Sequence, residues 1–205
     1  MNEFQNANLV SLKIATCQSL SGTGALHLAA LLLRKCRSPM PKVYVPEPTW
    51  SNHFQVFESV GFKCEKFAYY DKERRAADIS SYLGTLRAAE PGSVVIMHAC
   101  AHNPTGCDPS EEEWREIGRV MKSGNLFPVF DSAYLGFNSG SFDKDAFAIR
   151  HFIDELRMEA IVCVSFAKNM GLYGEEFRDL VGLAARDKAN EFALYFQASE
   201  PDSSW

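Results

Sequence analysis

Paired cysteines are the first thing missing: Cys17, Cys36, Cys64, Cys100, Cys107 and Cys163 stand far apart, with no C-x-x-C spacing among them. That argues against a disulfide framework, and the thiols are read as reduced. No apolar run approaches the length of a membrane-spanning helix, and the first ten residues are polar rather than basic and then apolar. A cytosolic or organelle-matrix protein is the expectation, with cytoplasm and mitochondrial matrix both open. Basic excess is also absent: 21 Lys and Arg against 26 Asp and Glu give a net charge of -5. Such a balance supplies no general attraction for nucleic acid or an anionic membrane, and neither is expected as a partner. Internal repeats and low-complexity tracts are lacking as well. What remains is an ordinary globular composition, 46% hydrophobic and 23% charged over 205 residues, long enough for one sizeable core and suited to small-molecule chemistry.

Elements alternate along the chain. Leu26, Leu28, Ala29, Leu32 and Leu33 follow the small-residue run Ser21-Gly22-Thr23-Gly24, a pattern for a helix that begins in a glycine loop. Lys42 to Val45 reads as a strand closed by Pro46, with Thr49-Trp50 on a loop beyond its end and a helix over 51–60. Cys64 to Tyr69 (strand), Asp78 to Ala89 (helix) and Ser93 to His98 (buried strand) repeat the alternation. Pro109-Ser110-Glu111-Glu112-Glu113 starts a helix running to about Ser123, its acidic first turn favoured by the helix dipole. Phe127 to Phe130 is a strand stopped at Asp131, Asp143 to Glu155 a helix, and Ile161 to Ser165 a strand leading to Lys168. This order predicts an α/β fold with a mostly parallel sheet flanked by helices. Ligands of such sheets bind beyond the carboxyl ends of the strands, where Trp50, Asn103, Asp131 and Lys168 all fall.

Several of these residues suit chemistry, each against a plainer alternative. Ser21-Gly22-Thr23-Gly24 offers backbone N–H groups and hydroxyls to a phosphate, or simply caps a helix; it lacks the Gly-Lys-Ser/Thr ending and the three-glycine spacing of nucleotide loops. Asp131, ending an apolar strand, needs a cation or proton donor, such as a protonated pyridine nitrogen, or else serves as a cap. Tyr134, three residues on, is close enough in the chain to place its hydroxyl near the same ligand. Lys168 stands at a strand end before Asn169-Met170-Gly171, a placement fit for a Schiff-base nucleophile, whereas an isolated lysine is ordinarily a solvated surface group. Trp50 either stacks on a flat heteroaromatic ring or fills the core beside Pro48. The run His98-Ala99-Cys100-Ala101-His102-Asn103 contains metal-ligand residue types, but no second cluster completes a set, so no metal is expected. For the Asn103-Pro104 bond both isomers stay open.

Taken in order, five motifs resemble the aspartate aminotransferases, class I pyridoxal-phosphate enzymes of fold type I. They are Ser21-Gly22-Thr23-Gly24-Ala25-Leu26, Pro48-Thr49-Trp50-Ser51-Asn52-His53, His98 through Gly106, Asp131-Ser132-Ala133-Tyr134, and Ser165 through Tyr173. The resemblance spans about Ala15 to Leu183 and implies part of the large cofactor-binding domain. It implies that Lys168 holds pyridoxal 5'-phosphate as the internal aldimine and later shuttles the substrate proton. Asp131 is then the partner of the pyridine nitrogen, with His53 keeping it ionised and oriented and His98 lying behind the ring. Asn103 and Tyr134 match donors to the phenolic oxygen, Trp50 the stacking residue, and Ser21, Gly22, Thr23 and Ser165 phosphate contacts. The implied reaction passes an amino group between L-aspartate and 2-oxoglutarate, small amino-acid and 2-oxo-acid substrates, in a homodimer. A related aromatic aminotransferase shares the same cofactor residues.

The match also departs from the family. An arginine beneath the phosphate belongs to a Tyr-x-Glu-Arg-Val-Gly pattern, and here Tyr173-Gly174-Glu175-Glu176-Phe177-Arg178-Asp179-Leu180-Val181-Gly182 carries an insertion. Arg178 is the candidate for that role, displaced, while Glu176 in its place would set a carboxylate against the phosphate. Residues 1–190 are read as a partial large domain and 191–205 as a divergent tail, with the small C-terminal domain and its substrate-binding arginines absent. The alternative reading is a catalytically incomplete remnant that binds cofactor weakly or associates with a full-length subunit.

Overall fold

The computed structural model describes residues 13–171 and 179–185. Its elements are β1 (Lys13–Ser19), α1 (Ser21–Cys36), β2 (Val43–Glu47), α2 (Asn52–Ser59), β3 (Cys64–Ala68), a small hairpin of β4 (Tyr70–Asp71) and β5 (Ala76–Ala77), and α3 (Ile79–Ala88). There follow β6 (Val94–His98), α4 (Glu111–Ser123), β7 (Phe127–Ser132), α5 (Phe142–Asp145), α6 (Phe147–Arg150), a π turn over His151–Glu155, β8 (Ala160–Val164) and β9 (Asp179–Ala185). Seven strands form one sheet in the order β1-β9-β8-β7-β6-β2-β3. The ladders β3-β2-β6-β7-β8 are parallel, and β9 runs antiparallel between β8 and β1. The expected mostly parallel sheet is therefore present. No helix among the described residues is long and apolar enough to cross a membrane.

Every position of β6 and β7 is buried, as befits central parallel strands covered on both faces. Because side chains alternate across a strand, each strand feeds two cores. Val94 and Ile96, Phe127 and Val129, and Ile161 and Cys163 pack with Leu26, Ala29 and Leu33 of α1 and with Val56 and Phe57 of α2. Val95, Met97 and Phe130 point the other way, into Leu86 of α3, Trp114 and Ile117 of α4, and Phe152. The first face, continued by one more step along each strand, reaches His98, Asp131 and Ser165.

Two expectations shift, and two strands have no counterpart in the sequence pattern. Strand β7 carries on through Asp131 to Ser132, so the carboxylate is a rung of the sheet rather than a stop after it. The single helix over 143–155 is broken at Ala146 and ends in the π turn, because Asp145 turns back to bind the preceding loop and Phe152 must reach the core. Strands β1 and β9 were not legible as strands: Lys13 to Ser19 is an edge of mixed polarity, and Asp179 to Ala185 holds Gly182, Ala184 and Ala185, weak strand formers. The α4 start is as expected, with a reciprocal capping box in which Ser110 Oγ accepts from Glu113 N and Glu113 Oε2 accepts from Ser110 N.

Candidate active site

A cleft of about 180 Å³ opens at the carboxyl ends of the parallel strands, lined by Ser21, Gly22, Thr23, Trp50, His98, Asn103, Asp131, Ala133, Tyr134, Ser165, Ala167 and Lys168. Residues 147 positions apart thus share one wall, with α1, the β2–α2 loop and the ends of β6, β7 and β8 each contributing. Ser21 to Thr23 form the first turn of the sixteen-residue helix α1. The residue before them, Leu20, has no side chain able to cap the helix, and the first turn carries no acidic residue. An anion is the natural complement of such an end. Ser21 holds a left-handed φ of 59° there, a conformation that a non-glycine residue adopts at a cost.

Asp131 lies in the cleft floor, and its Oδ2 accepts a hydrogen bond from Nε2 of the fully buried His53 at 2.9 Å. The other ring nitrogen of His53 is 2.8 Å from Thr49 Oγ1, so the imidazole is clamped between a hydroxyl and a carboxylate. Burial pushes the Asp131 carboxyl up, yet the His53 hydrogen bond and charge, with smaller help from His98 and Lys168, outweigh it and hold the group below its ordinary 3.8. His98, opposite Asp131 on the neighbouring strand, is buried and has no hydrogen-bond partner for either ring nitrogen among the described residues. Burial, with repulsion from His53 and against attraction from Asp131, lowers it to about 4, a neutral imidazole at physiological pH. His102 packs edge-on against it at 4.4 Å and stacks on Tyr69 at 3.7 Å. Donor atoms of His53, His98 and Asp131 all lie within 4.8 Å of one another, but the direct 2.9 Å His53–Asp131 bond leaves no room for an ion between those two.

Lys168 follows β8 in a tight turn closed by Met170 N to Phe166 O and Gly171 N to Lys168 O, each 3.2 Å. Its Nζ sits 5.5 Å from the centre of the Tyr134 ring. Trp50 is half-buried, edge-on to His53 at 5.6 Å, with part of its surface on the cleft rather than wholly in the core. The Asn103-Pro104 bond is cis. Of the residues singled out in the sequence, His53 stands behind the cleft floor rather than on it, and Arg178 and Glu176 lie outside the described residues. Thr49 was missed as a partner of His53, although a hydroxyl four positions before a histidine at a helix start is a readable signal.

The family model for aminotransferase class I and II matches residues 2–177. The chain belongs to this family. It is 46% identical over 168 residues to the cytoplasmic isozyme 2 of aspartate aminotransferase from Arabidopsis thaliana, covering 82% of this chain and 41% of that protein. To the cytoplasmic aspartate aminotransferase of Gallus gallus it is 44% identical over 183 residues, 87% of this chain and 44% of the relative. The chain thus spans less than half the length of these curated relatives. Among solved structures, the aromatic-amino-acid aminotransferase of Burkholderia pseudomallei, covalently bound to pyridoxal phosphate, superposes with a TM-score of 0.87 at 34% identity, covering 94% of this chain and 48% of that one. The sheet described above is accordingly that of a fold type I aminotransferase.

Proposed function

We propose that this aminotransferase-family chain binds pyridoxal 5'-phosphate through Lys168 and serves amino-group transfer between L-aspartate and 2-oxoglutarate. Support comes from one observation above all: an amine, a buried carboxylate and the uncapped start of α1 line the same cleft. Those three groups fit an aldehyde, a protonated pyridine nitrogen and a phosphate. When bound, the cofactor supplies an electron sink for the electrons released at the substrate α-carbon.

The chain's own residues do the rest. Asp131, held ionised despite burial, would accept a hydrogen bond from the protonated ring nitrogen and so favour the cationic form of that end of the ring. His53, clamped by Thr49, keeps the carboxylate oriented. Tyr134 and Asn103, which line the cleft, would donate to the phenolic oxygen, and Trp50 would cover a ring face. Hydroxyls of Ser21, Thr23 and Ser165, with the first N–H groups of α1, hold the phosphate. Lys168 supplies the covalent anchor and moves the proton at the substrate carbon.

Leu20, Phe137 and Met170, 84%, 69% and 62% exposed, flank Ser21, Tyr134 and Lys168 and suit cover by a second copy of the chain. Sedimentation of the purified chain reads that association directly.

Adding pyridoxal phosphate to the full chain should produce a visible absorbance that Lys168→Ala abolishes, and borohydride should fix the mass at Lys168. Equal binding by both proteins would exclude Lys168 as the anchor. Turnover of aspartate with 2-oxoglutarate supports the complete activity; bound cofactor without turnover favours the alternative of a chain that completes the reaction only beside a full-length subunit.

A further inference from the structure

Two carboxylates outside the cleft gather the loops that carry two of its polar groups. Asp108 accepts from Ala101 N at 2.6 Å and His102 N at 2.9 Å, immediately before Asn103. Ala101 has a left-handed φ of 49°, a strained conformation that those bonds help to hold. Asp145, buried at 4% exposure, accepts from Gly136 N at 2.9 Å, Asn138 N at 3.2 Å and Ser139 N at 3.1 Å, just after Tyr134. The side chain of Asn138 joins the two systems by donating to Asp108 Oδ2 at 3.4 Å. Beside Lys168, Asn169 Nδ2 donates to Leu135 O at 3.3 Å, so the lysine turn is tied to the same loop.

A carboxylate buried at the end of a four-residue helix is an expensive way to close a turn. Its three N–H partners all belong to the segment that follows Tyr134, and none belongs to the sheet. We propose that Asp145 and Asp108 are positioning residues, which fix Tyr134 and Asn103 so that both donate to one oxygen of the bound cofactor. This rests on the cofactor reading given above. Two donors from separate loops converge on a single atom only if both loops are held to a fraction of an ångström. The Asp108–Asn138 bond makes that convergence a joint property of the two loops rather than of each alone.

The consequence is spectroscopic. Donors to the phenolic oxygen stabilise its negative charge and loosen its hold on the proton shared with the lysine nitrogen. Losing them raises the pH at which the visible band converts. In the full chain loaded with pyridoxal phosphate, Asp145→Asn and Asp108→Asn should each raise that midpoint by roughly one pH unit, the worth of about one hydrogen bond. Tyr134→Phe should do the same, and adding Asp145→Asn to it should shift the midpoint little further. Without cofactor, amide exchange at 136–139 in the first variant and at 101–102 in the second should speed up while the sheet stays protected. A purely structural role predicts a lower melting temperature with an unchanged midpoint. Folded variants that titrate like the parent, or unchanged exchange at those amides, would overturn the proposal alone. A parent chain with no Lys168-dependent band would overturn it together with the cofactor reading. Asp108, only half-buried, keeps the test open if the Asp145 variant does not fold.

Discussion

His98 and Asp131 are Cα partners on the last rung of the β6–β7 ladder. Each continues a strand face whose earlier positions, Val94 and Ile96 on one side and Phe127 and Val129 on the other, fill the core under α1 and α2. The floor of the cleft is therefore the same surface as the core, with polar residues substituted where the helices stop covering it. That explains how a carboxylate stays rigid there: the backbone around it is sheet, and Ala99 N bonds Asp131 O at 2.9 Å. Rigid placement of charge is what lowers the cost of forming a cation beside it during reaction.

Asp131→Asn keeps the shape and removes the charge. Turnover, or the single-turnover rate with aspartate if the chain does not cycle, should fall by roughly 100-fold or more, as when one preorganised electrostatic partner is lost. Cofactor affinity should fall with it, read by absorbance titration. An asparagine variant with parental rate would mean that the carboxylate does not face the ring nitrogen.

His53→Ala removes the donor to a buried carboxylate and strands the Thr49 hydroxyl. The cost should be about 2 kcal/mol in urea unfolding, and the Asp131 carboxyl should rise because the bond that lowers it is gone. Thr49→Ala alone should cost about 1 kcal/mol, and the two changes should not add, since both act through one imidazole. Additive losses would show that the Thr49–His53–Asp131 chain does not act as a unit.

Ser21→Gly should separate stability from binding. At a φ of 59° glycine relieves the strain that serine bears, a gain of about 1 kcal/mol in unfolding free energy. The same change deletes a hydroxyl from the proposed phosphate cradle and should weaken pyridoxal phosphate binding by roughly fivefold. A variant that is both more stable and an equally good binder would remove Ser21 from the phosphate contacts.

Much of this site could be read from the sequence, and the parts that could not have a common cause. Trp50, Asn103, Asp131 and Lys168 each follow a strongly patterned strand and Ser21 opens a patterned helix, so period and punctuation place four of them at strand ends and the fifth at a helix start. Strand β9 lay beyond that method, because it is inserted antiparallel between strands distant in sequence and its residues have weak strand preference. Spacing places Asp145 inside a helix because it reports which face is apolar, not which carboxylate turns back onto a loop. The His53–Asp131 contact joins positions 78 residues apart, and only the family resemblance suggested it.

Acid should destabilise the fold through its buried imidazoles before its carboxylates matter. Below the ordinary histidine value of 6.5 the unfolded chain takes up protons that the native His98 refuses until about 4 and the native His102 until about 3. The unfolded state then binds more protons, so stability falls as pH falls across that window. For His98 the loss should reach up to about 3 kcal/mol between those limits. Asp131 acts in the same direction lower down: its native carboxyl stays ionised below 3.8, so its contribution is whole above that value and disappears as pH drops through the depressed one. Urea midpoints followed from pH 7 to pH 4 should therefore decline more steeply for the parent than for His98→Asn, which has no imidazole to protonate in the unfolded chain. Parallel declines would mean that His98 takes up its proton in the native state, most simply by sharing it with Asp131 across the rung that joins them.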